Sequence, residues 1–131
     1  CSPSLGTLTV NALTASNGVL IPLECEYFAV LGLGLVKETI EKVKGNTNPN
    51  LEIVGILATM FDRKTAHARE VLELIANEFP TELLDTVISR SIRFSESNVK
   101  GEPVTSYASS SLGANSYRRL ARELIFRGGA K

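Results

Sequence analysis

The sequence predicts an α/β fold, a parallel sheet with flanking helices, and two patterns carry that expectation. Apolar runs of strand length, GVLIPL, LEIVGILATMF and DTVISR, alternate with segments of helical period. Strands that alternate with helices pair in parallel through right-handed crossovers. The run GVLIPL is also continuously apolar, which suits a strand covered on both faces.

The elements follow in order. Ser2-Pro3-Ser4 reads as a helix start, because serine caps well and proline fits a first turn that has no use for its N–H. That helix is expected to run to Ala15, where Asn17-Gly18 accept the left-handed backbone that ends it. GVLIPL follows as the first strand. The segment ECEYFAVLGLGLVKETIEKVK then places Leu33, Val36, Ile40 and Val43 on one helical stripe. GNTNPN is a loop by composition, and LEIVGILATMF is the strongest strand pattern. DRKT turns into a helix through Phe79, with Ala68, Val71, Leu72, Ile75 and Phe79 inward. DTVISR is a shorter strand. Residues 91–111 are polar and read as a long irregular loop, a kind of segment that is usually functional. The last helix is expected over Gly113 to Phe126, with Tyr117, Leu120, Ala121 and Leu124 inward and Arg118, Arg119 and Arg122 off that stripe.

Composition bounds the function. The chain has 131 residues, enough for one compact core, and its formal net charge is zero. No global field draws it to nucleic acid or membrane, so any anion binding must come from local clusters. The longest apolar run, FAVLGLGLV, is too short to span a bilayer. Cys1 and Cys25 form no CxxC pair, which argues against a structural zinc site and for a reducing, cytoplasmic setting. Cys25 reads as a small buried hydrophobe and His67 as a solvated surface residue. There is no GxxxxGK[ST] phosphate loop and no GxSxG elbow.

Ligands of open parallel sheets bind beyond the carboxyl ends of the strands. ECEY, TMFDRKT and SRSIRFSES occupy those ends. In TMFDRKT, Thr59 and Met60 are candidates for ligand contact and Arg63 and Lys64 for anion contact. The alternative is a polar turn in which Asp62 caps the next helix. Arg90 and Arg93 are spaced to hold phosphates, or else to pair with Glu96 and Glu102.

Three strings carry a resemblance: CSPSLGTLTVNALTASNGVLIPLECEYFAVLGL, LEIVGILATMFDRKT, and TVISRSIRFSES followed by KGEPV. In order and spacing they resemble the ParA family of chromosome and plasmid partition ATPases, its Soj-like branch. The resemblance covers nearly the whole chain. It implies that residues 1–131 are a single partial domain, the C-terminal half of a deviant P-loop NTPase fold. A chain that opens on a helix and offers about three strands fits that expectation.

The resemblance also implies site residues and partners. Cys1, Ser2 and Pro3 stand at the segment that senses the γ-phosphate, with Ser2 in place of a family proline. Thr59, Met60 and the backbone of Ser89 stand near the base, with Ser89 also replacing a proline. Lys64 and Arg93, supported by Arg63 and Arg90, stand where the family binds DNA without sequence preference. Leu31 stands where many relatives have Glu. The implied cofactors are ATP and Mg²⁺, held by the intact parent. The implied partners are non-specific DNA, a ParB-type protein and a second copy in an ATP-bound homodimer. The implied location is the cytoplasm, at the nucleoid, without stable membrane association. No protein metal ligand is implied within these residues. Lacking the phosphate loop, the chain alone is expected not to hydrolyse ATP. Two other readings are a MinD-like membrane-associated positioning ATPase, with Ile125 and Phe126 as anchors, and a non-enzymatic half-domain scaffold.

Overall fold

A computed structural model describes residues 4–128. Three strands, β1 (Gly18–Glu24), β2 (Glu52–Phe61) and β3 (Leu83–Ser89), form one sheet in the order β1-β2-β3, and both pairs are parallel. The helices are α1 (Thr7–Ala15), α2 (Tyr27–Asn46), α3 (Ala66–Glu78), α4 (Ile92–Lys100), α5 (Val104–Tyr107) and α6 (Leu112–Phe126). The three expected strands are thus present and paired as the alternation predicts.

The core has two parts. On one face of the sheet, Ile21, Leu23, Ile56 and Ala58 pack with Leu33 and Ile40 of α2 and Ile75 of α3. On the other face, Leu57, Leu84 and Ile88 meet Leu120 of α6. The expectation that β1 is covered on both faces does not hold. Pro22 is exposed and Leu20 is half-buried, because α6 lies over β3 rather than β1.

Three expectations about helices need correction. The first helix starts at Thr7, not at Ser4 or before. Gly6 is its N-cap and makes no side-chain capping bond. Ser4 instead offers its carbonyl to the hydroxyl of buried Thr9 at 2.7 Å. Ser2 and Pro3 lie outside the described residues.

The stretch from 91 to 111 is not an irregular loop. Ser91 caps α4 by accepting the Arg93 N–H at 3.2 Å, and Gly101 ends it with φ +67°. A left-handed residue there lets the last carbonyls be closed off, and glycine adopts it without a Cβ clash. Pro103 then opens α5. This helical content was hidden because few apolar residues mark the stripe: Phe94 is half-buried and Ser97 is the buried residue of α4.

In α6 the buried residues are Gly113, Ala114 and Leu120, with Leu124 half-buried. Tyr117 and Ala121, expected inward, are exposed. Tyr117 packs edge-on against Phe94, with ring centroids 5.6 Å apart. The helix is rotated so that its carboxylate at Glu123 faces β3, which turns Ala121 outward.

Gly55 permits the close approach of β2 to β3. A Cβ there would lie 2.5 Å from Leu84 Cδ2 and 3.3 Å from the Glu82 carbonyl oxygen. The Glu82 carbonyl is fixed, since it accepts the Ile56 N–H at 2.7 Å. Gly55→Ala is expected to cost about 2 kcal/mol, read from the urea midpoint. An unchanged midpoint would contradict this packing.

Candidate functional site at the carboxyl ends of the strands

The strand ends are stitched together by main-chain bonds. Cys25 N–H donates to the Thr59 carbonyl at 3.3 Å, and Arg90 N–H donates to the Phe61 carbonyl at 3.1 Å. Between them β2 carries an extra residue. Ala58 pairs with Val87 and Phe61 with Ser89, so three steps on β2 oppose two on β3. Met60 takes up the bulge with φ +53°, the one non-glycine left-handed residue among those described. Strain of this kind concentrates at functional sites. The bulge turns Met60 out to 46% exposure and returns Phe61 to the core.

The chain then makes a tight turn. Asp62 Oδ1 accepts the Lys64 N–H at 3.0 Å, and the Asp62 carbonyl accepts the Thr65 hydroxyl at 3.1 Å. Thr65 Oγ1, not Asp62, caps α3, accepting the Ala68 N–H at 3.4 Å. The alternative in which Asp62 caps the helix is therefore corrected: its carboxylate lies within hydrogen-bond reach of the turn two residues on. Arg63 and Lys64 are left exposed at the rim.

Two cavities meet at this end. The larger, about 570 Å³, is lined by Arg63, Lys64, Arg90 and Arg93. Ser111, Gly113 and Ser116 at the start of α6 belong to the same lining, as do Ser89 and Ser91. Asp62 is the one acid of that lining, and it is engaged in the turn. A chain of zero net charge thus gathers four basic side chains in one place. The smaller cavity, about 170 Å³, is lined by Cys25, Glu26, Met60, Thr65 and His67 and shares Asp62 and Arg90 with the larger.

The basic groups are lightly held. Arg93 pairs with Glu96 at 2.9 Å, as one alternative expected, whereas Arg90 faces Glu24 at 3.8 Å and not Glu102. Both pairs are about half exposed, and such pairs contribute roughly 0–1 kcal/mol.

Of the residues placed near a base, Met60 lines the smaller cavity and Ser89 the larger. Thr59 lines neither; it is half-buried, with its carbonyl tied to Cys25. Cys1, Ser2 and Pro3 lie outside the described residues. His67 is exposed, 3.6 Å from Glu26.

Cys25 is buried, as its sequence position suggested. Burial, and then the neighbouring Glu24 and Glu26 charges, push its thiol up to about 11. At pH 8 its thiolate fraction is then about a hundredfold below that of a thiol of ordinary pKa near 9. Iodoacetamide labelling followed by peptide mapping should find Cys25 slower by about that factor. Labelling at the rate of a free thiol would contradict the buried placement.

The wall contributed by α6 was not legible in the sequence. Gly113 allows α6 to close on α4, since a Cβ would lie 2.8 Å from the Phe94 ring. Ser111 caps α6 by accepting the Ala114 N–H at 3.2 Å. A serine just before a helical stripe was the available signal, for Ser91 as for Ser111.

A family model described as an AAA domain matches residues 1–53. The chain is 44% identical over 131 residues, all of its length and 52% of the other, to the chromosome-partitioning ATPase Soj of Treponema pallidum. It is 44% identical over 127 residues, 97% of this chain and 48% of the other, to the chromosome partitioning protein ParA of Caulobacter vibrioides. Among solved structures, a cobyrinic acid a,c-diamide synthase from Mycobacterium smegmatis with bound ADP and magnesium superimposes with a TM-score of 0.77. That protein is 36% identical over all of this chain and 47% of its own. The chain spans about half the length of the curated relatives it matches.

Proposed function

Because this chain is homologous over essentially its whole length to the ParA/Soj-like partition ATPases, we propose that it serves as the DNA-facing portion of such an ATPase. The observation that carries this reading is the convergence of Arg63, Lys64, Arg90 and Arg93 around one cavity at the carboxyl ends of β2 and β3. Phosphate backbones are bound by such clusters without base readout, so affinity follows salt and not sequence.

In this reading the parent protein binds ATP and Mg²⁺ and pairs with a second copy. Pairing sets two basic rims side by side, which explains how a chain of zero net charge holds DNA. Hydrolysis, stimulated by a ParB-type partner, separates the copies and releases the DNA at the nucleoid. The chemistry supplied by ATP is phosphoryl transfer to water, which proteins accelerate through positioning and charge stabilisation.

The residues present fit only part of the nucleotide. Met60 and Ser89 offer an exposed apolar side chain and a strand-end backbone on either side of Arg90, suited to a base edge. Among the described residues, no three His, Cys, Asp or Glu side chains converge on a metal position. No glycine-rich phosphate cradle occurs in the sequence. The reading therefore assigns the phosphate cradle and the magnesium ligand to a portion of the protein outside this chain, leaving only γ-phosphate sensing to Cys1, Ser2 and Pro3, and the chain alone is expected to show no ATP turnover above a buffer blank.

The solved cobyrinic acid a,c-diamide synthase carries a different activity in its name. The higher identity to Soj and ParA and the basic rim favour partition. A MinD-like reading draws on Ile125 and Phe126, which are 62% and 92% exposed at the end of α6. Liposome pelleting tests it. The partition reading is tested by DNA retention of the intact protein: retention with ATP and Mg²⁺ but not with ADP is expected, and equal retention in both states would contradict it.

A further inference from the structure

Arg118 lies off the apolar stripe of α6 and reads in sequence as one more solvated arginine. Its guanidinium is instead turned back on the chain. Nη1 donates to the Ser109 carbonyl at 2.6 Å and to Asn115 Oδ1 at 3.1 Å. Nη2 donates to the Thr105 carbonyl at 2.9 Å and to Ser109 Oγ at 2.6 Å. One side chain thus joins α5, the connection after it and the first turns of α6. Two residues beyond Ser109 comes Ser111, the cap of α6 and a member of the same cavity lining as Arg63 and Lys64.

We propose that Arg118 is a positioning residue for the basic cavity: it sets the wall formed by Ser111, Gly113 and Ser116, and with it the width of the opening that phosphate groups enter. The inference rests on the reading of this cavity as a DNA-backbone site. The geometry requires the planar fork of arginine. A lysine ammonium keeps the charge but cannot reach Thr105 and Ser109 with parallel donors.

The test measures affinity of the intact protein, with ATP and Mg²⁺, for a short DNA duplex by fluorescence anisotropy over a salt series. Wild type is measured first. Failure of wild type to bind overturns the DNA reading and this inference with it. Given binding, Arg118→Leu and Arg118→Lys are both expected to weaken affinity about tenfold with the salt slope unchanged, while Arg119→Leu stays within about twofold. Each variant is checked as folded by circular dichroism at the assay temperature, where a merely structural loss would leave affinity unmoved. Should the Arg118 variants not fold, Ser109→Ala removes one acceptor of the fork and is expected to weaken affinity about two- to threefold. Rescue by Arg118→Lys, a salt slope reduced by about one per subunit, or no loss of affinity in the folded variants would overturn the proposal.

Discussion

Glu123→Ala is expected to destabilise the fold by about 2–3 kcal/mol, although the residue is a charged one on a helix at the edge of the molecule. The reason lies in the register of β3. Leu83 pairs with Ile56 and Val87 with Ala58, so four steps on β3 oppose two on β2. The irregularity presents two consecutive N–H groups to α6. Glu123 takes both, from Asp85 at 2.7 Å and Thr86 at 2.9 Å. Arg127, one turn later, donates to the carbonyls of Thr81 and Leu83 at 3.0 and 3.3 Å and lies 3.7 Å from Glu123. The pair therefore bonds two N–H groups and a carbonyl of β3, with the Thr81 carbonyl just before it, and clamps α6 over the smaller core.

Burial works against the Glu123 carboxylate, but the Thr86 hydroxyl, the Asp85 and Thr86 N–H groups and Arg127 together hold its pKa below the ordinary value. The Thr86 hydroxyl lies close enough to favour the charge, though it completes no hydrogen bond of good geometry. A carboxylate with a lowered folded pKa stabilises fully above its unfolded pKa of about 4.3. That contribution fades as pH falls through the folded value. Urea midpoints of Glu123→Ala and Glu123→Gln at pH 7, and their flattened acid limb relative to wild type, check this. A loss below about 0.5 kcal/mol at pH 7 would show that solvent satisfies β3 without the clamp.

On the partition reading, Lys64→Ala combined with Arg93→Ala is expected to lower DNA affinity of the intact protein at least about tenfold at moderate salt and to leave its ATP binding intact. The two side chains line the same cavity, yet they reach it from different elements, Lys64 from the turn after β2 and Arg93 from the first turn of α4. Neither is needed by the core. Lys64 is exposed, and the Arg93 side chain makes a surface pair with Glu96. The double variant should therefore keep the wild-type urea midpoint to within about 0.5 kcal/mol. Unchanged DNA retention at low salt would remove these residues from the interface.

The sheet was legible because its three strands are apolar enough to be marked by composition and too far apart to pair as hairpins. The candidate site was legible for the same reason, since parallel strands fix which ends carry ligands, and all four basic residues read there do line one cavity. What escaped detection depends on tertiary packing. The helical character of α4 rests on Phe94 and Ser97, too few residues to set a period. The rotation of α6 is set by Glu123 gripping β3 across 38 residues of sequence, which no local pattern records. The expected start of the first helix followed the local preference of Ser and Pro. In the fold, Ser4 accepts the hydroxyl of Thr9 instead. The left-handed bulge at Met60 has no sequence signal, because methionine rarely adopts it.

The proposed function stands or falls with charge-driven binding of nucleic-acid backbone at the basic cavity. The most direct test is the slope of log affinity against log salt for a DNA duplex and the intact protein, with ATP and Mg²⁺ present. A steep negative slope is predicted for wild type. For Lys64→Ala with Arg93→Ala it should flatten by about 3–4, because two cationic side chains are removed from each of two subunits. A slope that is shallow in wild type, or equally steep in the double variant, would contradict the claim.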